Sequence, residues 1–421
     1  MVECNLPFSF PENATVRKHV SIPPIYTETS LKYVRLVCRE VEKDVAQALP
    51  AKYGVVFDDC TFKSEQFVGV FAVFEHDNRA ETVLLAMAPL VDDEVEDRTA
   101  ESHVAFLSTI LGFFNRTTND IIFVVGDNCS TNGKVSKLLG VTLVGCASHR
   151  LNLAVTVFMG KHEHELEKVQ LLMRKLRTLN AAAKLRKYTS LRPALRQDTR
   201  WSSTFKMVAR FFELQEFLEA DDGLCELLPS RREVKKLDTL LKQLKDFESA
   251  SQMLQHQDGV TLSDVRDIFD ELIATYPGVS SHLAADADIV KNPEFEDACV
   301  AALRSGPEEL TAKQRRLLEP FAVRTSGTDA GDILPKKMSF ADRAMKKRKL
   351  ARKQQATFPA VKFIPPTSNC VERLFSRAKH TLSHHRHGIL PVNLEAVLFL
   401  KENRRFWSAS TVVKVVNSDL Q

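Results

Sequence analysis

Ile121-Ile122-Phe123-Val124-Val125-Gly126-Asp127-Asn128-Cys129-Ser130-Thr131-Asn132 is the stretch on which the fold turns. Its first five residues are all β-branched or aromatic, the composition of a strand buried on both faces, and Gly126 with Asp127 and Asn128 stops the run. Downstream, Asn132 to Leu139 reads as a helix and Val141 to Cys146 as another strand. His149 to Phe158 then reads as a helix that Ser148 can cap. Upstream lie three more apolar runs, Tyr53 to Phe57, Phe67 to Phe74 and Thr82 to Ala88, with polar turn residues between them. Between the last of these and Ile121, Val104, Leu107, Ile110, Leu111 and Phe114 return at helical spacing. The order strand, strand, strand, helix, strand predicts an α/β sheet in which three sequential strands pair antiparallel before a helix crosses to a parallel fourth. Ligand-binding and catalytic groups collect at strand ends of such sheets.

Further out, Leu31 to Leu49 has the three- and four-residue spacing of an amphipathic helix, with Thr27 or Thr29 to cap it. From about Gly160 to Ala351 the pattern is helical, interrupted by Ser305 to Lys337, where Gly, Pro and charge mix without period and predict a flexible loop. Phe358 to Pro366 reads as extended, and Asn369 to Leu382 and Asn393 to Phe406 as two helices. The domain boundaries that follow are 1–50 for an N-terminal helical segment, 51–159 for the first part of an α/β core, 160–355 for a helical insertion with its loop, and 356–421 for a C-terminal region.

With 421 residues, 44% of them hydrophobic, and no apolar run long enough to cross a bilayer, the chain reads as a soluble protein of two or three domains with no membrane partner. Met1 to Pro11 lacks the apolar core of a secretory signal, so an intracellular location is expected. The eight cysteines stand singly, with no Cys-x-x-Cys pair, as reduced thiols do. A net charge of +4 decides nothing by itself. Two stretches concentrate the basic residues: Arg174 to Arg200, which includes Lys175, Arg186 and Lys187, and Lys346-Lys347-Arg348-Lys349, which has the form of a nuclear-localisation patch. The first is either the solvated face of helices or a line of phosphate contacts along double-stranded DNA.

Phosphodiester cleavage and strand transfer use two divalent cations, and Mg²⁺ or Mn²⁺ takes carboxylate oxygens that distant parts of a chain can supply. Asp58 after the first strand, Asp127 after the fourth and Glu372 on a late helix are the acids placed for this. Taken singly, each reads equally as a turn residue or a surface charge. Their surroundings join them. Phe57-Asp58-Asp59-Cys60-Thr61, Gly126 to Asn132, Cys146-Ala147-Ser148-His149-Arg150-Leu151-Asn152-Leu153, Thr199-Arg200-Trp201-Ser202-Ser203-Thr204 and Ser368-Asn369-Cys370-Val371-Glu372-Arg373-Leu374-Phe375-Ser376 resemble, in order, the successive signatures of hAT-superfamily transposases. The resemblance runs from Leu6-Pro7-Phe8-Ser9 to Phe399-Leu400-Lys401-Glu402-Asn403.

What this resemblance implies is a ribonuclease H-like mixed sheet interrupted by a large all-helical insertion, with Asp58, Asp127 and Glu372 as metal-binding catalytic carboxylates. Asp59 is the nearest competitor for the first position. The resemblance also implies nuclear DNA transposition, and self-association, at least as a dimer, through a C-terminal region where Leu390, Leu394, Val397 and Leu398 form the apolar partner surface. Val392 and Leu400 belong to the same apolar set, for which ordinary core packing is the other reading, and the two readings are compatible. Trp201 is either a core aromatic or, as in similar proteins, a platform for distorted DNA beside Arg200. Cys146 and His149 match the family's Cys-x-x-His word. With His162 and His164 they invite zinc, but the spacing is not that of a finger and a structural histidine at a helix start is the stronger reading.

The chain departs from the family in two places. The paired Cys and His of an N-terminal BED-type zinc finger are not found before Leu31, so the chain is expected to start after that module. Asp59 and Cys60 follow the first acid where relatives have Gly and Trp. A catalytically inactive, domesticated DNA-binding and protein-dimerisation factor is therefore the alternative to a transposase, and a general ribonuclease H-like nuclease a third reading, against which the helical insertion argues.

Overall fold

In the computed structural model, residues 1–21, 25–62, 65–90, 99–197, 200–218, 224, 227–256, 259–305, 308–323, 357–382 and 389–419 are described. The patch Lys346 to Lys349, Cys225, and the part of the expected loop beyond Val323 lie outside them. Contacts divide the chain into two units. Met1–Cys146, Thr261–Ser263 and Lys291–Gln421 form the first, and Ala147–Val260 with Asp264–Val290 the second.

The first unit is built on a mixed five-stranded sheet of order β3-β2-β1-β4-β5, from β1 (Tyr53–Phe62), β2 (Glu65–His76), β3 (Arg79–Pro89), β4 (Ile121–Gly126) and β5 (Thr142–Gly145). β1, β2 and β3 pair antiparallel; β4 lies parallel to β1, and β5 parallel to β4. This is the strand pattern expected from the sequence. Asp77 and Asn78 turn β2 into β3 with φ of 49° and 61°, the left-handed pair that suits a two-residue hairpin.

Both faces of the sheet are covered, which is why its strands are apolar on both sides. In β1, Val55 and Phe57 enter one core with Val124 of β4. That core is closed by α2 (Thr27–Ala48), α3 (Ala100–Phe113) and α4 (Ser130–Leu139), while α1 (Ala14–His19) contributes no buried residue. Val56, Phe123 and Val125 point the other way, against α12 (Pro293–Arg304) and α14 (Asn369–Thr381), through Phe295, Ala298, Val371 and Leu374. Part of the segment expected to be a loop is ordered: Thr311 and Gln314 form a reciprocal capping box that starts α13 (Ala312–Leu317). Leu318 and Phe321 then bury in the same core. Pro359–Phe363 coils into a 3₁₀ turn where extended chain was expected.

β3 is an edge strand, and exposed edge amides invite pairing with other chains. Here α15 (Pro391–Glu402) covers it. Just past the helix, Asn403, 1% exposed, accepts the N–H of Leu84 at 3.2 Å and donates to its carbonyl at 2.8 Å. The backbone N–H of Met87 donates to Glu395. This corrects the expected partner surface. Leu394, Val397 and Leu398 are at most 2% exposed within this chain's own core, because α15 is used to close the sheet, whereas Leu390 is 60% exposed. The last helix, α16 (Ala409–Asp419), lies on α2, with Lys414 paired to Glu40 at 2.8 Å.

The second unit is helical: α5 (Ala147–Met159), α6 (Glu163–Leu176), α7 (Leu179–Leu185), α8 (Trp201–Leu218), α9 (Arg231–Leu254), most of α10 (Leu262–Thr275) and α11 (Ser280–Leu283). Leu151, Val169, Met207, Leu240 and Phe247 are among the buried residues that form its core. α9 starts on a capping box between Ser230 and Glu233. The sequence reading put α5 with the sheet and residues 291–323 with the helical insertion; contacts group both the other way, because the apolar stripe of α5 faces helices and that of α12 faces strands.

Burial, and to a lesser degree the nearby Glu42, pushes the Glu395 carboxyl up to about 7, although the Met87 N–H opposes the rise. The folded chain thus holds this proton more tightly than the unfolded chain. Its stabilising effect is full below the ordinary value of 4.5 and is lost as pH rises through about 7, on the order of 3 kcal/mol in all. Urea unfolding at pH 5 and pH 8 checks this: Glu395→Gln, which keeps an acceptor for Met87, should flatten the dependence and exceed the wild type in stability at pH 8.

Candidate metal centre

The parallel ladder between β1 and β4 ends at Val56 and Val125, but β1 continues to Phe62 paired with β2. Asp58 lies in this extension, inside the strand and not at its end as the sequence suggested. Strand alternation sends Asp58 to the face of Val56, the side covered by α14. Asp59 goes to the opposite face, where the Gln66 amide donates to its carboxylate. Parity therefore separates the two acids that sequence alone left in competition, and Asp58 is the one on the side of Glu372. The Asp59 N–H also donates to Asp58 Oδ1, at 2.9 Å.

Asp127 follows Gly126, the last residue of β4. Its loop is fastened at several points. Cys129 caps α4 by accepting the Asn132 N–H at 3.4 Å, and Asn132 Nδ2 donates to the Asp127 carbonyl at 3.0 Å. Asn128, 5% exposed, fits over Gly145, where any Cβ would collide with its amide nitrogen. The Gly126-to-Asn132 word thus reads physically as a device for presenting Asp127 at a strand end.

Glu372 sits in the first turn of α14. The register puts Gly69 of β2 opposite Asp58, and a Cβ on Gly69 would come within 2.8 Å of Val371 Cγ1 and 3.2 Å of Leu374. The missing side chain lets α14 settle against the strand pair beside Asp58. Val371 is the residue before Glu372, so this contact carries the third acid to the first. Arg373, half-buried in the same turn, lies near enough to lower the thiol of Cys370, which burial pushes up to about 12.

Burial and neighbouring charge both act on the first acid. The Asp58 carboxyl is pushed up to about 8, first by burial and then by the charge of Asp127, with smaller contributions from Asp59 and Glu372; the Asp59 N–H opposes the shift. Among the described residues, no three or more His, Cys, Asp or Glu are gathered tightly enough to hold a metal ion as they stand. The charges of Asp127 and Glu372 are thus near enough to act on Asp58, as like charges do. The donor set, carboxylate oxygens alone, suits Mg²⁺ or Mn²⁺.

The remaining sequence candidates divide. Cys146 is buried and accepts the Ser368 N–H at 3.4 Å. His149 is half-buried on α5 in the second unit, His162 is lowered by burial and by Lys161, and exposed His164 lies 3.3 Å from Glu233. Also in that unit, Arg150 donates to the carbonyls of His282, Leu283 and Ala284, and Asn152 accepts the Trp201 N–H at 3.1 Å. Trp201 is 5% exposed in the helical core, tilted against Phe205, and so is a core aromatic here with no free face for a base. Arg174, Lys175, Arg177, Arg186, Lys187 and Arg200 are all exposed. Arg196 is instead held by Glu163 and Glu167, at 2.5 and 2.8 Å. Sequence reasoning missed Gly69 and Gly145, and gave Asn128 and Ser368 no role beyond their place in the quoted words. Only tertiary neighbours show their roles, although a glycine within a strand already hints at close approach.

No family model matches the chain, and no curated protein does. Among solved structures it is similar to the Drosophila P element transposase strand transfer complex, at a TM-score of 0.34 and 10% identity over 98% of this chain and 92% of that one. A TM-score of that size establishes neither a shared fold nor a shared function.

Gly69→Ala should destabilise the first unit by about 1–3 kcal/mol by overpacking Val371. Gly133→Ala meets nothing closer than 3.8 Å in the middle of α4 and should be neutral or stabilising. Chemical denaturation of the two variants side by side checks the pair.

Proposed function

We propose that this chain is a metal-dependent DNA strand-cleaving and strand-transferring enzyme related to the hAT transposases, with Asp58, Asp127 and Glu372 holding Mg²⁺ or Mn²⁺ on a ribonuclease H-like sheet. The single observation that supports the reading is the backbone placement of three acids that lie far apart in sequence: Asp58 opposite Gly69, Asp127 just past β4, and Glu372 on the helix seated against Gly69. The bound ions would supply Lewis-acid stabilisation of the attacking and leaving oxygens. The chain's own part is to present the acids from two strands and a packed helix. Burial of Asp58 raises the cost of leaving these charges uncompensated, which favours a cation there.

Double-stranded DNA is the proposed substrate, and Lys175, Arg186, Lys187 and Arg200 on the second unit are proposed phosphate contacts. Among the described residues, exposed Arg174, Lys175, Arg177 and Lys187 have no ion-pair partner. The Lys346 to Lys349 word supports a nuclear location. Self-association, at least as a dimer, stays part of the proposal; the surface left to it around α15 is Leu390 and Val392, 60% and 51% exposed.

A second reading, a DNA-binding factor without catalysis, is favoured by Asp59-Cys60, which follow the first acid where hAT relatives have Gly and Trp. Nicking of supercoiled plasmid in Mg²⁺ and in Mn²⁺ separates the two. Wild type should nick, and Asp127→Asn or Glu372→Gln should lower the rate at least a hundredfold. Equal rates in all three proteins would overturn the assignment of the carboxylates, and no nicking by any of them would leave the second reading standing. DNA binding is checked separately: Lys175→Ala with Arg186→Ala and Lys187→Ala should weaken binding alike for unrelated duplexes and reduce the log–log salt slope by about 0.9 for each phosphate that is no longer neutralised.

A further inference from the structure

Cys146 is the point at which the backbones that carry the second and third acids meet. Its N–H donates to the Gly126 carbonyl at 2.8 Å, and Gly126 is bonded to Asp127. Its Sγ, fully buried, accepts the N–H of Ser368 at 3.4 Å. Ser368 is itself 0% exposed, and its carbonyl receives the N–H groups of Val371 at 2.9 Å and Glu372 at 3.4 Å. Two steps of hydrogen bonding therefore lead from the residue before Asp127 to the residue whose carbonyl holds the amide of Glu372, and both pass through Cys146. The Ser368 hydroxyl has no hydrogen-bond partner among the described residues, which leaves its N–H as the donor that joins it to Cys146.

We propose that Cys146 is a positioning residue, which sets where Glu372 stands relative to Asp127. The inference rests on the reading of the three acids given above and adds to it a residue that touches neither metal nor DNA. The chemistry favours sulfur at this position. A buried amide N–H needs an acceptor, and a thiol sulfur, though a weak one, bonds at a longer distance than a hydroxyl oxygen, for which about 2.9 Å is usual. Serine would thus have to draw α14 toward β5 to make the same bond, and alanine would leave the amide unpartnered. Partners that hold a metal ligand in place, without binding the metal, typically change metal affinity by about 10–100-fold when removed.

The test uses the full chain and three variants: Cys146→Ala, Cys146→Ser, and Cys299→Ala as a control for loss of a fully buried thiol elsewhere in the same unit. Hydrogen exchange reads the tie itself. In Cys146→Ala the amides of Ser368, Val371 and Glu372 should exchange about tenfold faster, with those of Val68 to Val73 in β2 unchanged. The Mn²⁺ concentration for half-maximal nicking, and for half-saturation in a titration of Mn²⁺ alone, should rise about tenfold. Cys146→Ser should recover part of both effects. Unchanged exchange at α14 in Cys146→Ala would overturn the proposal whatever the nicking does. So would faster exchange with an unchanged Mn²⁺ requirement, or the same pair of changes in Cys299→Ala. A wild type that neither binds Mn²⁺ nor nicks overturns the metal reading, and with it the positioning role; exchange that is still faster in Cys146→Ala would show that the tie exists and that the error lay in the metal assignment.

Discussion

β1 and β4 run parallel and hydrogen-bonded as far as Val56 and Val125, and there the pairing stops. Both chains carry on for a few residues without each other, β1 as a ladder with β2 and β4 as the loop of Asp127. A parallel pair needs a crossover between its strands, which α3 supplies, and it needs both faces covered, which the helices of the first unit supply. Most of what positions the candidate site follows from that one pairing: it brings Asp58 and Asp127 together although β2, β3 and α3 separate them in sequence, and it leaves a place beside β1 for α14.

Burial, and after it the charge of Asp127, pushes the Asp58 carboxyl up to about 8. Packing and hydrogen bonds bear on the backbone around it. Asn128 over Gly145, Asn132 on the Asp127 carbonyl, Val371 on Gly69 and the Cys146 sulfur on Ser368 each tie down a backbone segment next to an acid. The helical unit contributes differently. Its buried Arg150 and Trp201 hold helices together, and its exposed basic residues face solvent.

α15 shows how one apolar stripe can be read two ways. Its leucines and valines have the spacing of a partner surface, and in the chain they close both faces of the sheet while Asn403 and Glu395 occupy the open edge of β3. Covering that edge removes the row of amides through which two sheets would otherwise join.

Much of the architecture was legible in residue order. Runs such as Ile121 to Val125 declare a doubly buried strand because β-branched and aromatic side chains on both sides of a backbone have nowhere to go but two apolar layers. The helices of the second unit declare themselves by their 3.6-residue period, and the words around Asp58, Asp127 and Glu372 marked the acids. Periodicity is a local property, however, and says nothing of which stripe meets which. Only the tertiary structure decided that Asp58 and not Asp59 faces α14, since a one-residue difference in a strand reverses the face. It also decided that Gly69 makes room for Val371, that Trp201 and Leu394 are interior, and that Cys146 joins two distant turns. Each of these depends on a neighbour far away in sequence, and the identity of that neighbour is set by packing.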